Sequence, residues 1–219
     1  LTLAGALDSF KNSHRAQYFF LDGDGIIFLE KAIKYGSKFQ ANLNSAQINM
    51  FGEETNQQIS KVDLPECDFW TNLEKLKKEK EVVGIYISGH PLDDFLREMR
   101  YFTSSGLSDL SDLDYLVNKE LTFGGIINEV NHLHTRNGKG WAKFILEDFK
   151  DQYEFRIFGE EYLKFRHFLI VNQFIRIRIS IKEGWINRDT GKRGDPRIRY
   201  NSFEQLQDAL DTNTKKLTI

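Results

Sequence analysis

Cysteine is almost missing from this sequence, in which Cys67 is the single thiol. A lone cysteine excludes an intramolecular disulfide framework and fits the reducing cytoplasm, where we expect the protein to act. No apolar run approaches the ~18 residues of a membrane-spanning helix. The N-terminus also has no basic-then-apolar signal peptide. We therefore expect a cytoplasmic protein without a membrane partner.

The residue sets that mark common active sites are missing as well. The sequence has no Gly-x-x-x-x-Gly-Lys-Ser/Thr phosphate loop, no metal-ligand cluster and no isolated pair of carboxylates in an apolar frame. Asp22 and Asp24 hint at a calcium loop, but Ile26 and Ile27 stand where an EF-hand needs an oxygen ligand and a glycine. We predict no catalytic residue, no metal site and no cofactor in this chain.

Ser88, His90 and Asp93 are residues of the catalytic-triad type. A triad needs each group within hydrogen-bond reach of the next, and three residues crowded around one turn rarely achieve that geometry. We interpret them as a turn and a helix cap, in which His90 or Ser88 satisfies free backbone N–H groups.

What is present is a large apolar and aromatic content with an uneven distribution of charge. The 219 residues are 40% hydrophobic and include 18 phenylalanines, enough for one large or two small domains with a core. The net charge is only −2, yet residues 1–119 carry five more acidic than basic groups. Residues 120–200 carry four more basic than acidic groups, so a polyanion would bind in the second half.

The first half has the pattern of helices. Short helices are predicted over 15–21 and 26–35, followed by a polar, irregular stretch over 36–46. A charged helix over 73–81 leads into the apolar segment 82–87. Pro91 fits the first turn of a further helix, whose apolar face is Leu92, Phe95, Leu96 and Met99.

The second half alternates with the period of strands. Leu121, Phe123 and Ile127 mark a first strand, and Gly124-Gly125 within it predicts a bulge or sharp bend. Further strands are predicted over 141–147, 152–158, 173–182 and 196–202, with a short helix over 160–168. Three strands, a helix and two strands is the order of an OB fold, a small five-stranded barrel. We predict an α+β protein with a small N-terminal helical region and this barrel.

The ligand face of an OB fold lies on its second and third strands and on two flanking loops. Basic grooves there follow phosphates and aromatic side chains stack on bases. The candidate nucleic-acid-binding residues are Arg136, Lys139, Lys143, Tyr153, Arg156, Trp185, Arg188, Lys192 and Arg193. His132 and His134 are expected to be polar loop residues, and Phe144 and Phe155 to be core residues.

Arg176 and Arg178 alternate with isoleucines along the fourth predicted strand. They are either a solvated outer face with cross-strand pairs or a surface that contacts phosphates.

Gln47-Ile-Asn-Met-Phe51 is the sharpest motif of the first half. Met50 and Phe51 either pack against neighbouring helices or, as part of a short extended peptide, fill an apolar pocket on a partner while Gln47 hydrogen-bonds at its rim. The five-residue motif by itself does not distinguish between these two alternatives.

Residues 79–92, Glu-Lys-Glu-Val-Val-Gly-Ile-Tyr-Ile-Ser-Gly-His-Pro-Leu, carry a family resemblance. The stretch resembles the segment that joins the helix-hairpin-helix region to the OB domain in the alpha subunit of bacterial DNA polymerase III, the family C replicative polymerase. Ala4 to Asp8 followed by Arg15-Ala16 resembles the end of that helix-hairpin-helix region, so the resemblance covers nearly the whole chain. Leu1 is not an initiator methionine, and we expect a C-terminal fragment of a longer chain.

The resemblance implies a division of the chain into five parts. These are the end of the helix-hairpin-helix region (1–45), a linker with the clamp-binding motif (46–66), a helical junction segment (67–118), an OB-fold nucleic-acid-binding domain (119–203) and a C-terminal tail (204–219). Gln47, Met50 and Phe51 resemble the sliding-clamp-binding motif, which lies in the same place in the family.

The resemblance also implies a function. The parent chain would be a DNA-directed DNA polymerase, a nucleotidyltransferase that uses magnesium, with its metal-binding carboxylates upstream of Leu1. The residues present here would bind single-stranded template DNA, the sliding clamp (the beta subunit) and other replicase subunits during chromosomal replication. The alternative is an OB domain of the tRNA-anticodon-binding type, as in class II aminoacyl-tRNA synthetases; a free-standing enzyme is disfavoured by the missing active-site residues.

Overall fold

The structure is a computed structural model that describes residues 1–48, 62–186 and 192–213, and only the backbone of 44–48 and 213. It divides into an N-terminal unit, Leu1–Gly89, and a C-terminal unit, His90–Ile219. The described residues form helices and a five-stranded antiparallel sheet. The predicted α+β class is therefore confirmed. No helix among these residues is long and apolar enough to cross a membrane.

The described residues of the N-terminal unit form three α-helices, α1 (Arg15–Tyr18), α2 (Phe28–Ile48) and α3 (Asn72–Val83). Helix α2 differs from the prediction, because it continues through residues 36–46, which were expected to be irregular. Alanine, lysine, glutamine and leucine are good helix formers, and the stretch has no proline. These preferences outweigh Gly36, which costs a helix interior about 1 kcal/mol relative to alanine.

Helix α3 is the junction helix that the sequence predicts, and both of its ends are capped. The Thr71 side chain accepts a hydrogen bond from the Glu74 N–H at 3.2 Å, and the Glu74 carboxylate accepts one from the Thr71 N–H at 2.8 Å. The helix ends at Gly84, which has a φ of 87° and donates its N–H to the Lys80 carbonyl at 2.8 Å. Glycine is favoured at this left-handed position because it has no Cβ.

Glu79 ties α3 to the segment that follows it. Its buried carboxylate accepts hydrogen bonds from the Ile87 N–H at 3.0 Å, the Ser88 N–H at 2.9 Å and the Ser88 hydroxyl at 2.5 Å. Arg15, also buried, donates from Nη1 at 2.6 Å and pairs with Asp8 as well. Burial raises the pKa of Glu79, but hydrogen bonds from Ser88, Arg15 and Ile87 outweigh it and lower the pKa to about 2.

The residues that resemble a catalytic triad make local turn and cap contacts. Ser88 donates its hydroxyl proton to Glu79. In the C-terminal unit, His90 Nδ1 accepts a hydrogen bond from the Leu92 N–H at 3.1 Å, and Asp93 Oδ2 accepts one from the His90 N–H at 2.6 Å. The interpretation as a turn and a helix cap is confirmed.

In the C-terminal unit, the part of the chain that the structure describes forms the sheet and three α-helices. The strands are β1 (Glu120–His134), β2 (Gly140–Glu147), β3 (Gln152–Phe158), β4 (Phe174–Lys182) and β5 (Arg197–Gln205), in the order β3-β2-β1-β4-β5. The helices are α4 (Leu96–Phe102), α5 (Gly159–Phe165) and α6 (Ala209–Asn213). Helix α5 lies between β3 and β4, as an OB fold requires.

Strand β1 is the central strand and pairs with two partners. Its first half, from Glu120 to Ile126, pairs with β4, and its second half, from Ile126 to His134, pairs with β2. The register shift falls between Ile127 and Glu129, not at Gly124-Gly125 where a bulge was predicted. The glycines instead allow close packing, since a Cβ on Gly124 would meet Met99 Sδ, and one on Gly125 the β2 backbone.

The two edge strands, β3 and β5, approach each other without forming a ladder. The Tyr200 hydroxyl of β5 donates to the Arg156 carbonyl of β3 at 3.0 Å. Glu161 of α5 accepts a hydrogen bond from the Tyr200 N–H at 3.2 Å. Phe155 of β3 packs edge-on against the Tyr200 ring. The sheet is thus OB-like in strand order but is not closed into a barrel, because β3 and β5 do not pair. A groove lies on the outside of the sheet, between these two strands.

Candidate nucleic-acid interface

A groove of about 910 Å³ lies between the free edges of β3 and β5. Strand β3 supplies one wall and the end of β4 with β5 supplies the other, while α5 and the connector before β1 complete it. The lining residues are Leu113, Tyr153, Glu154, Arg156, Phe158, Glu161, Lys182, Trp185, Pro196, Arg197, Ile198 and Arg199. The lining combines cations with aromatic and aliphatic surface, the composition that suits a single nucleic-acid strand.

Trp185 stands on a finger formed by residues 183–186 and 192–196, between β4 and β5. The Gly194 N–H donates to the Trp185 carbonyl at 2.9 Å, and Ile186 and Arg193 form an antiparallel bridge. The Trp185 side chain is 73% exposed. A large exposed aromatic at the mouth of a groove can stack on a base.

One face of Trp185 is covered by Arg197, whose guanidinium carbon is 4.0 Å from the ring centre. A cation over an indole face is attracted by the negative charge of the ring quadrupole. Arg197 also donates to the Glu183 carbonyl at 3.5 Å. These contacts place the arginine beside the finger, and among the residues that the structure describes no ring or second cation stacks on the other face of the indole.

The β3 wall carries a local charge network. Arg156 Nη2 lies 2.9 Å from Glu154 Oε1, and Lys143 Nζ of β2 lies 3.6 Å from Glu154 Oε2. The hydrogen bond from Arg156 lowers the pKa of Glu154. Two cations proposed for phosphate binding therefore share one carboxylate.

Glu161 is the second carboxylate of the groove. Burial raises the pKa of Glu161, against the opposing effects of the Tyr200 N–H and of the positive charge on Arg199. Burial also raises the pKa of the Tyr153 phenol. With four basic and two acidic lining residues, the groove keeps a basic excess.

The structure places the candidate binding residues in three groups. Tyr153, Arg156 and Trp185 line the groove, and Lys143 adjoins it through Glu154. Lys192 and Arg193 lie on the finger, where Arg193 pairs with Glu183 at 3.1 Å. Arg136 and Lys139 are exposed in the turn between β1 and β2 and do not line the groove. Arg188 lies outside the described residues.

Phe144 and Phe155 are core residues, as expected, whereas His132 and His134, which were expected in a loop, are exposed residues at the end of strand β1. Phe144 and Phe155 are fully buried and stack with ring centres 5.2 Å apart, so neither can stack on a base. His132 Nδ1 lies 3.1 Å from the Tyr162 hydroxyl. Within the described ranges, no group of three or more His, Cys, Asp or Glu side chains is placed to hold a metal ion.

Asp22 lies in a polar turn, as predicted. Asp22 Oδ1 accepts hydrogen bonds from the N–H groups of Asp24 at 2.9 Å and Ile26 at 3.0 Å.

Arg176 requires a correction. It is buried, 5% exposed, and its Nη2 lies 2.7 Å from Glu204 Oε2 on β5. The cross-strand pair is therefore present, but the side chain is neither solvated nor available to a phosphate. Arg178 is partly exposed and its Nε lies 3.5 Å from Glu120 Oε1.

Among the basic and aromatic residues of the groove, the sequence-based candidates do not include Phe158, Lys182, Arg197 and Arg199. A signal for two of them existed, because Arg197-Ile198-Arg199-Tyr200 alternates basic and apolar residues in a predicted strand. Only the observed register, with Lys182 opposite Arg197, brings β4 and β5 cations together.

Most of the clamp-type motif, Gln47 to Phe51, lies outside the residues that the structure describes. The backbone of Gln47 is in the last turn of α2, and Met50 and Phe51 lie outside the described residues.

Comparison with known proteins finds DNA polymerase III alpha subunits among the relatives of the chain. It is 32% identical over 152 residues to the DNA polymerase III subunit alpha of Borreliella burgdorferi, covering 68% of this chain and 13% of that protein. It is 28% identical over 192 residues to that of Saccharopolyspora erythraea, covering 85% of this chain and 16% of that protein. The chain is thus related to DNA polymerase III alpha subunits and spans less than a fifth of their length. No protein-family model matches it.

Similar solved structures include RecG bound to a three-way DNA junction, at 18% identity over 64% of this chain and 19% of that chain, with a TM-score of 0.29. A Leishmania major protein assigned as an aspartyl-tRNA synthetase is 14% identical over 47% of this chain and 20% of that chain, with a TM-score of 0.32. Likeness at this level carries no argument about function.

Proposed function

We propose that this chain is a non-catalytic part of a replicative DNA polymerase that binds single-stranded template DNA through the groove and the sliding clamp through residues 47–51. Its relation to DNA polymerase III alpha subunits supports the replicative setting. DNA-directed DNA polymerase activity then belongs to the parent chain, and its magnesium ligands lie outside these residues.

The single observation that carries the DNA-binding part is the basic and aromatic groove between β3 and β5. Lys182, Arg197 and Arg199 offer charge to phosphates, and Trp185 offers a stacking surface that is 73% exposed. Positive charge supplies affinity that does not depend on sequence, and an exposed ring adds stacking that every base can use. Both suit a template strand whose sequence varies.

The clamp part is supported by the motif and its place in the chain. Gln47, Met50 and Phe51 supply one polar and two apolar anchors, and a few such anchors can carry most of a peptide interface. Gln47 stands in the last turn of α2, and all three residues precede the Glu79 junction, as in the resembled family.

Binding to a purified bacterial sliding clamp tests this part, with the wild-type chain compared with Met50→Ala/Phe51→Ala. We expect binding that the double substitution abolishes. Phe39→Ala/Leu43→Ala is the control, because it removes exposed apolar side chains from α2 outside the motif. Equal loss in both variants, or no binding by the wild type, would refute the clamp assignment.

A further inference from the structure

Three cations lie together on the wall formed by the end of β4 and the start of β5. Lys182 is directly opposite Arg197 in the register, and Arg199 is two residues further along β5. Directly opposed residues share a face of the sheet, and so do residues two apart. All three side chains line the groove. We call Lys182, Arg197 and Arg199 the β5 track.

The β5 track differs from the cations of the opposite wall, Arg156 and Lys143, which both pair with Glu154. Within the described residues, no carboxylate lies at ion-pair distance from Lys182 or Arg199, and Arg197 contacts the Trp185 ring and a backbone carbonyl. Other arginines of the sheet and finger, Arg156, Arg176 and Arg193, each pair with a carboxylate within 3.1 Å.

Like charges held side by side repel each other, and the single carboxylate of Glu161, whose pKa Arg199 helps to lower, offsets only part of the charge of the track. A polyanion that lies along it would relieve the repulsion and release its own counterions. Arg197 and Arg199 are about 7 Å apart along an extended strand. The distance between neighbouring phosphates of an extended single strand is comparable.

Building on the proposed function, we propose that the phosphates of single-stranded DNA run along the β5 track, not along the turn between β1 and β2. The free face of Trp185, at the same end of the groove as Arg197, receives a base. Arg156 and Lys143 on the opposite wall remain paired with Glu154. Arg136 and Lys139, in the turn, contribute only long-range attraction.

A matched pair of double variants tests this assignment in the full 219-residue chain. Lys182→Gln/Arg199→Gln removes two charges from the track, and Arg136→Gln/Lys139→Gln removes two from the turn. Binding of a fluorescein-labelled oligothymidine is followed by anisotropy across a salt series. The track variant is expected to bind roughly tenfold more weakly, and its log–log salt slope to be smaller by roughly 1.4, from ~0.7 per phosphate contact on a single strand.

The turn variant is expected to keep the wild-type slope. Lys182→Arg/Arg199→Lys keeps both charges, and its near-normal binding would show that the glutamine variant fails through charge and not through misfolding. If the wild type binds and both glutamine variants lose equal affinity, or the turn variant loses more, the β5 track is not the path of the phosphates. The proposed DNA-binding function would then still stand. No binding of the wild type to oligothymidine would overturn the proposed DNA-binding function together with the track.

Discussion

Arg197 covers one face of Trp185 at 4.0 Å from the ring centre, while 73% of the tryptophan side chain stays exposed. The indole stands on the finger and the arginine on the first residue of β5, so their contact helps to hold the orientation of the ring. The uncovered face of Trp185 then already has a fixed position at the mouth of the groove, so the side chain does not need to become ordered when a base binds. Such pre-organisation lowers the entropy cost of stacking a base.

Trp185→Ala is expected to weaken binding of single-stranded DNA by roughly 5- to 150-fold, since base stacking on an aromatic contributes about 1–3 kcal/mol. Trp185→Phe should retain most of the affinity. Tyr115→Ala is the control, because Tyr115 is 76% exposed in the same unit and does not line the groove. Anisotropy titrations at one salt concentration measure all three. Equal affinity of Trp185→Ala and Tyr115→Ala would remove the stacking role.

Glu154 is expected to limit affinity, because it occupies Arg156 and Lys143, which otherwise could reach phosphates. Glu154→Gln should therefore tighten DNA binding roughly two- to fivefold, the order of one exposed ion pair. Glu160→Gln changes the net charge equally at an exposed position outside the groove. If the two variants bind alike, general charge explains the gain and Glu154 has no specific effect.

The strands were predictable from the sequence because their alternation is strong. Ile175, Ile177, Ile179 and Ile181 point inward on β4, and all four are fully buried. The walls of the groove were harder to predict, because they depend on which strands remain unpaired at the edges. Arg176 and Arg178 look alike in sequence, yet Glu204 on the neighbouring strand makes the first an interior pair. The length of α2 was missed because Gly36 and polar residues resemble a loop.

Glu79 should make the stability of the N-terminal unit depend on pH. Its folded pKa of about 2 lies below the ordinary value of 4.5, so the stabilisation is present above pH ~4.5 and is lost as the pH falls towards 2. The lowering of the Glu79 pKa corresponds to about 3 kcal/mol of folding free energy at neutral pH. Glu79→Gln is expected to lower the free energy of unfolding by about this amount, because the buried charge of Arg15 then lacks the Glu79 carboxylate as a partner.

Urea unfolding followed by Trp70 fluorescence, with Trp141 and Trp185 replaced by phenylalanine, measures the free energy of unfolding at pH 7 and pH 3. The gap between the parent and Glu79→Gln should shrink at pH 3. Glu81→Gln, exposed on the same helix, should differ little from its parent at either pH. A gap that is constant with pH would mean that Glu79 does not act through its charge.

Gly184→Ala is expected to distort the finger, since a Cβ there would collide with the Gly194 carbonyl oxygen. The added methyl group should force the backbone at Gly184 away from Gly194 and so displace Trp185. DNA binding should then weaken about as much as in Trp185→Ala. Gly36→Ala is the control, because a Cβ at Gly36 meets open space and should stabilise α2 by about 0.5–1 kcal/mol. Normal DNA binding by Gly184→Ala would show that the finger tolerates the methyl group.

The most direct test of the whole account is a comparison of oligothymidine and tRNA as ligands for the wild-type chain, each titrated at roughly 50 and 200 mM salt. A replicative template-binding module should bind the DNA strand more tightly than tRNA, with an affinity that falls steeply as salt rises. Preferential binding of tRNA, or no binding of the DNA strand at the lower salt concentration, would contradict the account and favour an anticodon-binding type of OB domain.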